Sequence, residues 1–293
     1  MRILLTAALL LAPAAVGAGT PTVQKMTCPI GGAGFDYKTT VSYSTWGERP
    51  DGKPYGSWTF PLALPECPDN GLVLYKEYDA EEVAKLEPLV ASEAYQALRK
   101  ADTPYYRAYW LMKAMGLGPE RYLWALLQAS WEAEGRGELR ARYLAELADS
   151  SAKVPARPGD MNWIGMEARA ANALRELGRF DEAMARLDNV PLTGLDAAMP
   201  TGAAATPQAI AEVRTRRGWL AFIRGLKVAI ARRDASIEPL DLIPRSIAVG
   251  RCIDAAVSLD EAGRVYCEKE KAAVDELRLA REKLKALPDK SGR

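Results

Sequence analysis

The hydrophobic and polar positions divide this chain into two unlike stretches. Phe35, Tyr37, Thr39, Val41 and Tyr43 alternate with polar or small neighbours, the signature of a strand with two different faces. Trp58–Leu62 and Leu72–Tyr75 read as further short strands, with Gly47-Glu48-Arg49-Pro50-Asp51-Gly52-Lys53-Pro54 as turn and loop between them. From Asp79 onward the chain reads as helix. Asp79 and Glu82 have capping-box spacing. Thr103-Pro104, Gly118-Pro119 and Thr206-Pro207 put proline at a first helical position. Gly116, Gly135 and Gly178 sit where helices stop. The resulting predicted spans are 79–100, 104–115, 119–134, 138–150, 160–177, 181–190, 207–233 and 260–287. Short helices in series imply a bundle or a helix-hairpin solenoid.

One segment favours the solenoid. It runs Ala170-Ala171-Asn172-Ala173-Leu174-Arg175-Glu176-Leu177-Gly178-Arg179-Phe180-Asp181-Glu182-Ala183-Met184-Ala185-Arg186-Leu187 and closes on Val190-Pro191. This resembles a tetratricopeptide repeat. Gly178 stands at the inter-helix turn, Phe180 follows it, and the small Ala183 lies where the helices touch. Trp163 is the aromatic upstream, and Tyr122–Val154 holds degenerate copies. The resemblance implies an array of helix hairpins with a concave binding surface.

Composition changes the picture by what it lacks. The 293 residues include no histidine, which excludes Ser-His-Asp and Cys-His catalysis and imidazole metal sites. Residues 1–18 read as a secretory signal peptide, with one basic residue, an apolar stretch and a small-residue end, cleaved after Ala18. Its removal takes Arg2 from the 39 basic residues and leaves 38 against 38 acidic ones. A neutral chain has no general attraction for nucleic acid or anionic membrane, so neither is an expected partner. No apolar run past the first twenty residues reaches membrane-spanning length. The expected location is the periplasm or the secreted compartment.

Four cysteines, an even number in an exported chain, read first as disulfides: Cys28, Cys67, Cys252 and Cys267. Cys28-Pro29-Ile30-Gly31 and Cys67-Pro68-Asp69-Asn70 look like two CPxC knuckles of a zinc ribbon, with Gly31 and Asn70 in place of the second cysteines. The arrangement resembles an uncharacterised bacterial family with twin CPxC knuckles followed by tetratricopeptide-like helices. Four thiolates would hold zinc; only two remain. The resemblance thus implies a metal-free module, in which Cys28 and Cys67 face each other closely enough to form a disulfide. Cys252 and Cys267 would close the second, shorter loop. A residual zinc site with carboxylate ligands and reactive thiols are the weaker alternatives.

Other signals are thin. Ser150-Ser151-Ala152-Lys153 has serine-lysine spacing but lacks its companion motifs, and Ser150 reads as a helix end. Gly31-Gly32-Ala33-Gly34 is no phosphate loop, having no strand before it or helix after it. Trp219, Ile223, Leu226 and Ile230 share a helical face opposite Arg214, Arg217 and Arg224. That pattern fits a core-facing stripe better than a membrane-surface helix. Aromatic residues crowd the β module and the first helices. Most belong to cores, with Trp46 and Tyr55 expected to be exposed.

The expected architecture is mainly α, with five parts. These are a signal peptide (1–18), a small β-rich, zinc-ribbon-like, disulfide-stapled module (19–78), tetratricopeptide-like helices (79–197), a linker (198–206) and a C-terminal helical region (207–293). The expected function is non-enzymatic binding or scaffolding of a protein or peptide, without cofactor or metal. The candidate binding residues are Tyr105, Arg107 and Tyr109 on the helices. Glycan or cell-wall binding by Trp46, Tyr55 and Trp58 is the alternative.

Overall fold

The computed structural model describes residues 19–254 and 259–285; the expected signal peptide, residues 1–18, lies outside them. The described chain is mainly helical, with a small antiparallel β portion at its N-terminal side. Strand β1 (Thr20–Thr27) pairs with β2 (Gly34–Ser42), placing Val23 opposite Lys38 and Met26 opposite Phe35. The expected alternation is therefore β2. Its partner β1 carries no readable pattern because both of its faces are largely exposed. The turn-rich stretch holds a second hairpin, β3 (Thr45–Glu48) with β4 (Pro54–Gly56).

Two expected strands do not form. Trp58–Leu62 makes no ladder; Pro61 within it and Pro65 after it supply no N–H. Leu72–Tyr75 contributes a single bridge, Val73 to Glu66.

The helices are α1 (Ala80–Ala91), α2 (Glu93–Ala101), α3 (Pro104–Ala114), α4 (Pro119–Glu132), α5 (Gly137–Ser151), α6 (Met161–Glu176), α7 (Phe180–Asp188), α8 (Pro207–Ala231), α9 (Arg245–Asp254), α10 (Glu261–Lys269) and α11 (Lys271–Lys285). The capping box of Asp79 and Glu82 is present. The predicted helix 79–100 is interrupted at Ser92, whose hydroxyl accepts the Tyr95 N–H and restarts the chain as α2. The predicted 260–287 helix is likewise two, broken at Glu270. Helix α9 escaped the sequence reading; it is short and follows Pro244.

From α3 to α8 each helix packs on its successor in sequence, and α8 also touches α6. Gly178 takes a positive φ of 74° between α6 and α7, while Phe180, Ala183 and Leu187 bury their side chains. Leu220, Ile223, Leu226 and Ile230 of α8 join Ile164, Ala168, Leu187 and Leu195 in one apolar core. The amphipathic stripe of α8 is thus a core stripe, with Arg214, Arg217 and Arg224 exposed behind it. This core runs across residues 198–206. Another joins Cys28, Cys67, Leu72 and Val73 to Leu86, Val90, Tyr95 and Leu111, so the β portion is built onto the first helices.

Both disulfides form, Cys28–Cys67 and Cys252–Cys267, each with Cα atoms 5.6 Å apart. The turns at Cys28 and Cys67 are alike. Each cysteine N–H donates to the carbonyl five residues on (Ala33, Leu72), and each cysteine carbonyl accepts from the N–H four residues on (Gly32, Gly71). Asn70 spans the pair, its Nδ2 donating to the Ile30 carbonyl.

A chain of buried charges fastens the second hairpin to the helices. Arg49 and Arg140 both reach Asp51, at 2.7 and 3.5 Å. Arg140 continues to Glu176 of α6 at 2.6 Å, and the buried Arg175 donates to the carbonyls of Asp234 and Ser236.

Candidate functional site

The residues expected to bind through the helices are internal. Arg107 is 3% exposed and Tyr109 1%. The Tyr105 hydroxyl donates to the Leu62 carbonyl at 2.9 Å. Arg107 grips Glu66 with two bonds of 2.9 and 2.7 Å and also donates to the Gly71 carbonyl. The hydroxyls of Tyr109 and Tyr106 meet the two oxygens of Glu146 at 2.6 and 2.7 Å. Burial, with Glu132 nearby, pushes the Tyr105 phenol upward in pKa. Burial and Glu146 do the same to Tyr109. Tyr105 is therefore a strut from α3 to the 62–71 loop and Tyr106 and Tyr109 are struts from α3 to α5, because every phenolic hydroxyl has found a partner inside.

The aromatic-loop residues are dispersed. Trp46 is exposed, whereas Tyr55 packs against the Leu240–Val274 core and Trp58 is half-buried against Gly19. Tyr55 is therefore not the exposed residue expected. Ser150, the serine of the serine-lysine spacing, lies in the last turn of α5, and its neighbour Ser151 donates to the Leu147 and Ala148 carbonyls and accepts from Arg186. Its hydroxyl is used structurally.

A cleft of about 570 Å³ opens instead where α4, α6 and α8 meet. Trp124 of α4, Trp163 of α6 and Trp219 of α8 wall it, with Leu123, Met161 and Met166. Trp124 remains 41% exposed. Sequence reading placed these tryptophans in separate contexts. No spacing signal could unite them, since they lie on three helices far apart in the chain.

Arg169 of α6 is the cleft's central polar group. Its guanidinium carbon stands 5.2 Å from the Trp124 ring centre and 4.9 Å from that of Trp219, a cation held between two indoles. Two glycines permit this. A Cβ on Gly165 would lie 2.8 Å from the Trp219 ring, so only glycine lets that indole rest against α6. Gly52, at φ 83°, brings the hairpin turn against the guanidinium, where a Cβ would stand 2.6 Å from Nε.

The side chains of Arg169, Thr215 and Trp219 separate this cleft from a second of about 330 Å³, lined also by Glu48, Arg49 and Leu242. Burial pulls Arg169 below the ordinary arginine value, and the charges of Glu48 and Asp51 oppose that. Of the other charged groups on the wall, Glu167 is doubly bonded to Arg186 at 2.8 Å. Asp160 caps α6 through the backbone N–H groups of Asn162 and Trp163.

Such a wall offers large apolar contact area and one buried cation. No nucleophile–base pair is assembled on it among the described residues, and its serine and paired carboxylate are occupied. No protein-family model, no characterised protein and no solved structure matches this chain.

Proposed function

We propose that this is an exported, non-enzymatic binding protein whose cleft between α4, α6 and α8 takes a short apolar segment of a peptide or protein. The observation that carries the reading is the uncovered apolar wall of Trp124, Trp163, Trp219, Met161 and Met166 around a space of about 570 Å³. Concave sites lined by aromatic and apolar groups with few polar ones are the usual form of ligand pockets. Thioethers adapt to varied side chains.

Export is supported by the two disulfides and by the apolar leader-like start of the sequence. None of the described helices is long and apolar enough to cross a membrane. Helices packed in sequence order, with the Gly178 turn and the buried Phe180 and Ala183, support a tetratricopeptide-like arrangement. The matching turns at Cys28 and Cys67 support descent from knuckles that exchanged a metal for a disulfide.

The test is capture of peptides from a random pool by the mature chain. Trp124→Ala and Met166→Asp should abolish capture while Trp46→Ala leaves it intact. The reverse pattern, with binding to cell-wall glycan, would establish the aromatic-loop alternative.

A further inference from the structure

Five arginines are buried among the described residues: Arg49, Arg107, Arg140, Arg169 and Arg175. Four of them are richly matched. Arg49 holds Asp51 and Glu134, Arg107 holds Glu66, and Arg140 holds Glu176 at 2.6 Å. Arg175 donates to Asn172 and to two backbone carbonyls. Arg169 differs. It makes one long bond, 3.4 Å to the Gly165 carbonyl. Among the described residues its nearest carboxylate, on the exposed side chain of Glu48, is 3.7 Å from Nη2. Its Nε has no acceptor, which is equally true of Arg107 and Arg140, so the missing carboxylate is what sets Arg169 apart from them. Two indole faces stabilise the cation but supply no acceptor in the guanidinium plane.

We infer that the cleft's ligand is an apolar peptide that presents a carboxylate to Arg169. The inference rests on the cleft being a peptide site, as proposed above. With Trp124 and Trp219 flanking the guanidinium and the Gly52 turn against its Nε–Nη2 edge, an anion must approach in the plane at the Nη1–Nη2 edge, a geometry a carboxylate can meet. The surroundings limit the ligand further. Glu120 lines the same cleft, and the cleft's other arginine, Arg157, stands 3.9 Å from Asp160, so a polyanion meets repulsion from Glu120 that a single carboxylate can avoid. Leu123, Met161, Met166 and the tryptophans suit aliphatic or aromatic neighbours of that carboxylate. Three of the wall's hydrogen-bonding groups, Ser151, Asp160 and Glu167, are already bonded and so less open to a sugar ring dense in hydroxyls. Glu48 sits where it competes for Nη2, so its charge weakens ligand binding.

The experiment is calorimetric titration of the mature chain with three pools of random apolar pentapeptides. One has a free C-terminal carboxylate, one a C-terminal amide, and one an amide with an internal glutamate. The free-acid pool should bind roughly tenfold or more tightly than the amide pool, and Arg169→Gln should erase the difference. Glu48→Gln, on an exposed side chain that leaves the fold intact, should tighten the acid pool about two- to threefold. Recovery of affinity by the internal glutamate identifies a side-chain carboxylate as the anchor, and its failure identifies a chain end; either result supports the inference. Equal binding of acid and amide pools, insensitive to Glu48→Gln, would overturn the role of Arg169 and keep the cleft as a peptide site. No binding of any pool, with or without binding of a uronic-acid oligosaccharide, would overturn both.

Discussion

Two clusters in this molecule join aromatic rings to a buried arginine. In one, Arg107 stands beside Tyr95, both donating to the Gly71 carbonyl, and grips Glu66, while its α3 neighbours Tyr105 and Tyr109 close on Leu62 and Glu146. In the other, Arg169 stands between Trp124 and Trp219 with no carboxylate of the described residues in hydrogen-bond range. Both centre on a buried arginine beside aromatic rings, but the tyrosines of the first are buried whereas Trp124 of the second stays exposed, and the consequences are opposite. A cluster whose arginine is gripped by a carboxylate is a strut, and its burial is stabilising. A cluster with an unspent donor beside open space retains capacity for a ligand.

The strongest way to break this comparison is to loosen the strut's receiving loop. Cys28–Cys67 closes a separation of 39 residues and anchors the segment that carries Glu66 and Gly71. Cys28→Ala with Cys67→Ala should cost about 4 kcal/mol by the chain-entropy model, read as a lowered urea midpoint. The corresponding loss for Cys252 and Cys267, separated by 15 residues, should be about 3 kcal/mol. Equal or reversed costs would show that the first disulfide does not secure the loop.

Removing the arginines comes next. Arg107→Met leaves the half-buried Glu66 without its bidentate donor and the Gly71 carbonyl with the Tyr95 hydroxyl alone, and should cost about 2–3 kcal/mol. Arg169→Gln forfeits mainly its contacts with two indoles and sheds a buried cation, so about 1 kcal/mol is expected. Matched denaturation curves decide this. If Arg169→Gln proved as costly as Arg107→Met, Arg169 would be a strut too.

Single hydroxyls probe the same contrast more finely. Tyr109→Phe strands one oxygen of Glu146, which Tyr106 still meets through the other, and should cost about 1 kcal/mol in thermal unfolding. No loss would mean that the Glu146 bridge contributes nothing net.

The smallest effect is a pH dependence. Burial raises the Glu132 carboxyl above its ordinary value of 4.5, although the Tyr105 N–H, Thr103 and Arg107 draw it down. Its folded pKa exceeds the unfolded one. The stabilisation is therefore complete below the unfolded value and is lost as pH rises through the folded value. Glu132→Gln removes that loss, so its stability relative to the native chain should improve between pH 4 and pH 7. A difference that stays flat over that interval would mean that Glu132 is not raised.

Much of the fold was legible because local chemistry controls it. Proline at 104, 119 and 207, glycine at 178 and the Asp79 capping box set helix ends through backbone terms that need no partner. The core face of α8 was legible for a related reason, since periodicity alone separates Ile223 and Leu226 from Arg217 and Arg224. Strand β1 was not, because an exposed ribbon has no apolar face to alternate. Nor was the break at Ser92, where a hydroxyl competes for backbone groups within an otherwise helical run.

The cleft marks the boundary between the two kinds of information. The sequence by itself determined that the chain is mainly helical, has cysteines to spare for disulfides and lacks every histidine-based catalytic device. It could not tell which aromatic residues face each other, because Tyr105 and Trp124 occur in equally apolar helical patterns. Only the tertiary structure decided that Arg107 meets Glu66 across 41 residues while Arg169 meets no carboxylate of the described residues within hydrogen-bond range. Hydrogen bonding acts over about 3 Å in space, and the distance along the chain carries no record of it.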